Sequence, residues 1–71
     1  MTELLPGLYC HYKGNDYQVL GVAGHTETGE DLVVYRALYG ERGLWVRPLS
    51  MFIEQVNVDG VHVARFAFVG D

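Results

Sequence analysis

The chain has 71 residues, with nine acidic side chains against five basic ones and a formal net charge of −4. This length accommodates one domain, which we place at residues 1–71 with residues 1–5 as a loose N-terminus. Nearly half of the residues, 49%, are apolar or aromatic, so the chain can bury a core and is not of a disordered composition. The acidic balance disfavours duplex nucleic acid, because phosphate contacts require a basic surface.

Cysteine usage and hydropathy indicate the compartment. Cys10 is the only cysteine, so no intrachain disulfide can form. The sequence shows neither a signal-peptide pattern nor an apolar run of membrane-spanning length. We therefore expect a cytoplasmic protein without membrane contact, and we expect Cys10 to be a thiol buried in the core.

Turn residues recur at short, even intervals and separate runs that are rich in Val, Tyr, Leu and Phe. This spacing predicts an all-β barrel or sandwich. Asp59-Gly60 predicts a tight hairpin, and Pro48 to Phe52 predicts a short helical turn that begins at the proline. A helical turn over Met51 to Val56 is an alternative to a strand from Ile53. The predicted strands are Leu8–Tyr12, Asp16–Gly24, Leu32–Tyr39, Leu44–Arg47, Ile53–Val58 and Val61–Phe68.

Strand alternation separates two sets of side chains, because successive residues point to opposite faces. We expect the aliphatic set to fill the centre of the barrel and Met51 and Phe52 to close one end of it. The expected barrel interior includes Leu32, Val34, Leu38, Leu44 and Val46. The opposite set consists of aromatic rings and an arginine, and we expect it to face outward as Tyr35, Tyr39, Trp45 and Arg47.

The outward set is the first candidate binding surface. Arg47 can pair with a carboxylate or phosphate, and the rings of Tyr35, Tyr39 and Trp45 can stack on a planar group. The alternative is a structural role. The chain has nine aromatic residues, and in a protein this small some of them can serve simply to cover one face of a sheet.

The hairpin around His11 and Lys13 is the second candidate. His11 is a possible general base and Lys13 a possible anion contact on an exposed loop. The structural alternative is a solvated turn at Gly14-Asn15. We include both side chains in the predicted ligand-binding set.

The polar loop from His25 to Asp31 offers a third candidate. His25 and Glu27, together with His11, carry ligand types that zinc accepts, and the same groups could serve an enzyme as acid and base. A solvated acidic loop is the structural alternative. Because no phosphate loop, nucleophile elbow or zinc signature is present, we expect no cofactor and no metal, and an enzyme is the less favoured interpretation.

Several segments together are similar to one known family. They are PGxYxHYKG, HTET, YRALYG, LWVRPxxMF and RF, which begin at Pro6, His25, Tyr35, Leu44 and Arg65. This string resembles the bacterial domain-of-unknown-function family DUF1653 over nearly the whole chain. The resemblance implies a stand-alone cytoplasmic domain with a small SH3-like barrel of about five or six antiparallel strands. It implies no activity.

The sequence favours a binding module for a peptide or a small anionic ligand. The predicted site consists of Tyr39, Trp45 and Arg47, assisted by Tyr35, His11 and Lys13. A small enzyme or metal-binding protein that uses His11, His25 and Glu27 is the alternative. Single-stranded nucleic-acid binding by stacking is a third hypothesis. Exposed aromatics and edge strands further suggest self-association.

Overall fold

The computed structural model describes residues 4–70, and it confirms the all-β class. Seven strands and one short helix follow one another along this part of the chain. They are β1 (Gly7–His11), β2 (Asp16–Gly24), β3 (Asp31–Ala37), β4 (Leu44–Pro48), α1 (Leu49–Phe52), β5 (Gln55–Val58), β6 (Val61–Ala64) and β7 (Phe66–Gly70).

The strands form two antiparallel sheets. Five of them make one sheet in the order β4-β3-β2-β1-β7, and β5 and β6 pair separately as a hairpin. Within residues 4–70, β4 and β7 are therefore the two edges of the larger sheet, and no ladder joins them. The hairpin turns at Asp59 and Gly60, whose φ angles of 51° and 83° are those of a primed turn. This part of the prediction is confirmed.

Arg65 divides what the sequence predicted as one strand from Val61 to Phe68. Its backbone N–H donates to the Glu54 carbonyl at 3.1 Å, and its carbonyl accepts from the Tyr12 N–H at 2.9 Å. An ion pair of 2.8 Å between its guanidinium and the Glu54 carboxylate reinforces the junction. Arg65 thus links the hairpin to the larger sheet. The predicted strand from Ile53 is also wrong at its start, since Ile53 is the C-cap of α1 and β5 begins at Gln55.

The helical turn after Pro48 is confirmed, but only one of the two side chains expected to close the end of the barrel is buried. Leu49 and Phe52 lie three residues apart, on one face of the turn, and pack into the core. Phe52 is 1% exposed, whereas Met51 points away and is 47% exposed. The prediction that Met51 closes the interior is therefore wrong.

The core is largely aromatic. Phe52 stacks on Phe66 with ring centroids 4.1 Å apart and planes within 3° of parallel. The other buried members of the cluster are Tyr9, Val19, Val33, Tyr35 and Leu49. Such rings bury large apolar areas and compensate for the small number of core residues. Among residues 4–70, the one helix is four residues long and cannot span a bilayer.

This core reverses the predicted assignment of strand faces. Val33 and Tyr35 are buried, at 0% and 6% exposure, whereas Leu44 and Val46 are more than half exposed. The reason is α1, which folds back from β4 and packs on the Val33 and Tyr35 face of the sheet. Alternation separated the two sets correctly but could not show which of them the helix would cover.

Two further expectations concern the N-terminal part of the chain. Cys10 is only half-buried and lies outside the core cluster, so the prediction of a core thiol is wrong. Of the N-terminus predicted to be loose, residues 1–3 lie outside the described residues. Leu4 packs against the core, and the Leu5 carbonyl accepts a hydrogen bond from the Tyr9 hydroxyl at 2.7 Å.

Candidate binding cleft

An open cleft of about 500 Å³ lies where β2, β3 and β4 meet the loop between β3 and β4. We call it the aromatic cleft and define it by Tyr17, Tyr35, Tyr39, Arg42, Trp45 and Arg47. Four of the six residues in the predicted ligand-binding set line it, namely Tyr35, Tyr39, Trp45 and Arg47.

The strand register explains why these side chains meet. Tyr35 lies opposite Trp45 on the neighbouring strand, and Tyr17 lies opposite Ala37. Directly opposed residues of an antiparallel pair project from the same face of the sheet, so these rings share the face on which α1 packs. The helix covers this face over Val33 and Phe66 and leaves its other end open as the cleft.

Tyr17 and Tyr39 form the polar part of one wall. Their hydroxyl oxygens are 2.8 Å apart, and their rings meet edge to face with centroids 5.6 Å apart. Partial burial is the main cause that raises the pKa of Tyr17 to about 12, and the hydrogen bond with Tyr39 is the next largest. Only one O–H is used between the two oxygens, and neither hydroxyl has another partner among residues 4–70. The second O–H is therefore available to a ligand in the cleft.

Arg47 supplies the cation at the base of the cleft. Its side chain is half-buried, and its guanidinium carbon lies 5.5 Å from the centre of the Phe66 ring. Among the described residues it has neither a carboxylate partner nor a side-chain hydrogen bond, in contrast to Arg65. A partly desolvated guanidinium with five unpaired donors is a strong attractor for a carboxylate or phosphate.

The loop between β3 and β4 completes the rim. Gly40 and Arg42 both have left-handed φ angles, of 59° and 56°, which is costly for arginine. The Arg36 guanidinium donates to the Arg42 carbonyl at 2.8 Å and holds this conformation. Gly43 lies under the Trp45 indole, where a Cβ would be 3.1 Å from Nε1. The loop therefore places one more cation and the indole at the mouth of the cleft.

The charge of this region opposes that of the whole chain. The cleft is lined by two arginines and one glutamate, Arg42, Arg47 and Glu41, so its lining is positive while the chain carries −4. An anion can therefore be attracted locally even though the overall field is repulsive.

His11 and Lys13 lie beside this region without lining the cleft. Partial burial lowers the pKa of His11, and the charges of Arg65, Arg47 and Lys13 lower it further. The His11 ring packs edge-on against Phe66 at 4.9 Å, and its Nδ1 accepts from the Lys13 backbone N–H at 3.1 Å. Three cations, Arg65, Arg47 and Lys13, thus act on His11.

His25 and Glu27 are far from His11. β2 separates the two histidines, and its nine residues correspond to roughly 30 Å of extended chain. His25 Nδ1 accepts from the Glu27 backbone N–H at 3.0 Å and so organises its own loop. No group of three metal-ligating side chains occurs within residues 4–70. The structure does not bring the three residues of the enzyme or metal alternative together.

A second cavity of about 490 Å³ lies between the hairpin and the β1–β7 side of the larger sheet. We call it the hairpin groove and define it by Cys10, Tyr12, Val58, Val63 and Ala67. Its lining is almost entirely apolar. The imidazole of His11 and the phenol of Tyr12 are the two polar rings in it. Its lining contains no Asp, Glu, Lys or Arg.

Sequence reasoning missed Tyr17 and Arg42 as members of the cleft. Tyr17 comes from β2 and is brought in by its pairing with β3, which sequence patterns do not specify. Arg42 lies in the turn bounded by Gly40 and Gly43, and those glycines did mark the turn. A search for charged residues inside that turn would have found it.

The fold and the cleft define a small all-β domain with a cation at the base of an aromatic wall. The family model for "Protein of unknown function (DUF1653)" matches residues 7–68, which is most of the chain. The chain therefore belongs to the DUF1653 family, as its sequence pattern indicated.

A solved relative supports the same assignment. The chain is similar to a DUF1653 protein from Bordetella bronchiseptica, known from a crystal structure, with 42% sequence identity and a TM-score of 0.87. The match covers 94% of this chain and 88% of that one. A comparison with curated proteins gives no significant match.

Proposed function

We propose that this protein is a binding module whose aromatic cleft holds an anionic group of a peptide or a small molecule. Arg47 contacts the anion, and Tyr39 and Trp45 contact the rest of the ligand. The observation that carries the proposal is the half-buried Arg47, which has no carboxylate partner among residues 4–70 and lies beside an indole that is 60% exposed.

The energetics favour an anion in this place. A ligand carboxylate or phosphate can accept hydrogen bonds from the half-buried Arg47 side chain, and hydrogen bonds to charged groups contribute roughly 1.5–3 kcal/mol each. The free O–H of the Tyr17–Tyr39 pair offers an additional donor. Exposed tryptophan and tyrosine rings provide contact area with few rotamers to immobilise, as is typical of binding surfaces.

The proposal retains the finer features expected from the sequence. It places His11 and Lys13 at the periphery of the site, where the Lys13 ammonium adds positive charge. It also retains an SH3-like shape, a cytoplasmic location supported by the single cysteine, and a bacterial source supported by the Bordetella relative. Fold analogy alone does not assign the ligand.

A fluorescence titration tests the anion contact. Trp45 is the only tryptophan, so its emission reports directly on the cleft. We expect benzoate, which combines a ring with a carboxylate, to change this emission, and its neutral isostere benzamide to have little effect. Arg47→Gln should weaken benzoate binding by about 10- to 100-fold, because it removes charge-assisted hydrogen bonds. Arg47→Lys should restore part of the affinity.

The ring contact needs a matched control. Trp45→Ala should weaken benzoate binding when it is followed by NMR, whereas Val61→Ala should not, although Val61 in β6 has the same exposed fraction of 60%. Equal binding of benzoate and benzamide, or unchanged affinity in Arg47→Gln, would refute the proposal. Salt-dependent quenching by oligothymidylate without a response to benzoate would favour the nucleic-acid hypothesis instead.

A further inference from the structure

β4 is an edge strand with unusually little protection. Among residues 4–70 it has a neighbour on one side only, and three consecutive residues in it, Leu44, Trp45 and Val46, are 53%, 60% and 58% exposed. Edge strands usually avoid pairing with other chains by means of charges, bulges or prolines. Here no charge, bulge or proline occurs before Arg47 and Pro48, at the end of the strand.

The backbone polarity of β4 shows which groups are free. The Ala37 N–H donates to the Gly43 carbonyl at 3.1 Å, which makes these opposed residues a hydrogen-bonded pair. Hydrogen-bonded pairs alternate with non-hydrogen-bonded pairs along an antiparallel ladder, so the next hydrogen-bonded pair is Tyr35 with Trp45. The residues of β4 on either side of Trp45 belong to non-hydrogen-bonded pairs. The N–H and C=O groups of Leu44 and Val46 therefore face away from β3.

The same edge strand borders the aromatic cleft, because alternate side chains of β4 line it. Trp45 and Arg47 project on the cleft face, whereas Leu44 and Val46 project on the opposite face. A strand added beside β4 would consequently present alternate side chains to the cleft cation and to an aliphatic surface.

We propose that the ligand of the aromatic cleft is an extended peptide segment that pairs with β4 and directs an acidic side chain to Arg47. This inference rests on the proposed function and deepens it by naming the ligand class. Backbone hydrogen bonds to Leu44 and Val46 supply affinity, and the side chains supply specificity, as in other cases of strand addition.

The register of such a pairing defines the sequence that is recognised. An aspartate or glutamate lies opposite Arg47, and an aromatic or apolar residue two positions away lies opposite Trp45. The residue between them contacts Val46 on the other face and is apolar or β-branched. Charge complementarity favours this acidic peptide, since two arginines and one glutamate line the cleft beside β4. A second copy that paired through its own β4, with the sequence LWVRP, would bring no acidic side chain to Arg47.

Selection from a random library of displayed heptapeptides tests the inference, with the Arg47→Gln protein as counter-target. We expect enriched peptides to contain an acidic residue two positions from an aromatic or apolar one. Replacing that acid by its amide should weaken binding about tenfold or more. N-methylation of the peptide amides that face β4 should do the same, whereas N-methylation of the intervening amides should be tolerated.

Hydrogen exchange locates the peptide on the protein. In the free protein the outward N–H groups of Leu44 and Val46 should exchange quickly, and the bound peptide should slow both. The Trp45 N–H, which already bonds to β3, serves as the internal control and should change little.

Each outcome separates this inference from the proposed function. If benzoate binds at Arg47 but the library yields no peptide, or yields peptides that leave the Leu44 and Val46 amides unprotected, strand addition is refuted and the anion site stands. If neither benzoate nor any peptide depends on Arg47, both fail. A dimer whose Leu44 and Val46 amides are protected before peptide is added would show that a second copy occupies the edge, and would overturn the inference.

Discussion

The aromatic cleft and the hairpin groove are almost equal in size and opposite in chemistry. The aromatic cleft, at about 500 Å³, has two arginines, one glutamate and a pair of tyrosine hydroxyls in its lining. The hairpin groove, at about 490 Å³, is lined almost entirely by apolar groups. Volume therefore does not distinguish a candidate site in a protein of this size. A few convergent polar groups on a rigid apolar wall do.

The difference follows from where each cavity lies on the fold. The aromatic cleft is the open end of the sheet face that α1 covers, so its rings are continuous with the core. The centroid of the Tyr17 ring lies 5.4 Å from that of Phe66 and 5.5 Å from that of Tyr35. The hairpin groove lies between two sheets that are linked through Arg65. We therefore expect the cleft to be rigid and the groove to be a gap between independently paired strands.

The largest expected effect on stability comes from Phe52, a core residue that packs against the Tyr35 ring of the cleft. Phe52→Ala should lower the free energy of unfolding by about 3–5 kcal/mol, because it leaves a cavity against Phe66 and Tyr35. Met51→Ala, next to it in the same turn but exposed, should change the free energy by less than about 0.5 kcal/mol. Urea denaturation measures both, and Phe52→Leu provides a milder variant if the alanine protein does not fold. Similar losses at the two positions would contradict the described core.

Two non-glycine residues in the described part of the chain, Arg42 and Asp59, have left-handed φ angles and allow a direct comparison of the regions. Arg42→Gly should raise the free energy of unfolding by up to about 1 kcal/mol, because glycine adopts this conformation without strain. It should also weaken benzoate binding several-fold, since it removes a cation from the rim.

The matched change, Asp59→Gly in the hairpin, should give a similar gain in stability and leave benzoate binding unaltered. Thermal unfolding and the Trp45 titration follow the two properties separately. A loss of stability in Arg42→Gly would show that the arginine is not strained. Equal effects of the two substitutions on binding would remove the distinction between the regions.

The smallest effect is a titration at high pH. Because the pKa of Tyr17 is raised from 10 to about 12, the folded protein retains a proton that the unfolded chain releases. The associated stability is present below pH 10 and is lost as the pH rises towards 12. Absorbance at 295 nm should show a late tyrosine that is absent in Tyr17→Phe. Tyr39→Phe should lower its pKa by removing the hydrogen bond; an unchanged titration would contradict the hydroxyl contact.

Local chemistry made part of this fold predictable. Asp59-Gly60 specified its hairpin, because few dipeptides adopt two positive φ angles. Pro48 specified the boundary between β4 and α1, because a proline ends a strand, and it is the N-cap of the helix. These signals act within a few residues. The same locality explains why Tyr39, Trp45 and Arg47, which flank one turn, line one cleft.

The remaining features depend on contacts between distant segments. Which face of β3 is buried was decided by α1, so Tyr35 was wrongly expected outside and Leu44 inside. The place of Tyr17 depends on the register between β2 and β3, which shifts at a bulge between Val19 and Gly21. No short-range pattern encodes either feature. That the cleft residues bind a ligand stays a prediction.

The most direct test of the account is an NMR titration of the isotope-labelled protein with benzoate, with both cavities observed in one experiment. We predict that the Trp45 indole N–H, the Arg47 guanidinium N–H and the backbone of Arg42 shift together and saturate. The resonances of Val58 and Val63 in the hairpin groove should stay in place. Saturable shifts confined to the hairpin groove, with the Arg47 signal unmoved, would contradict the account.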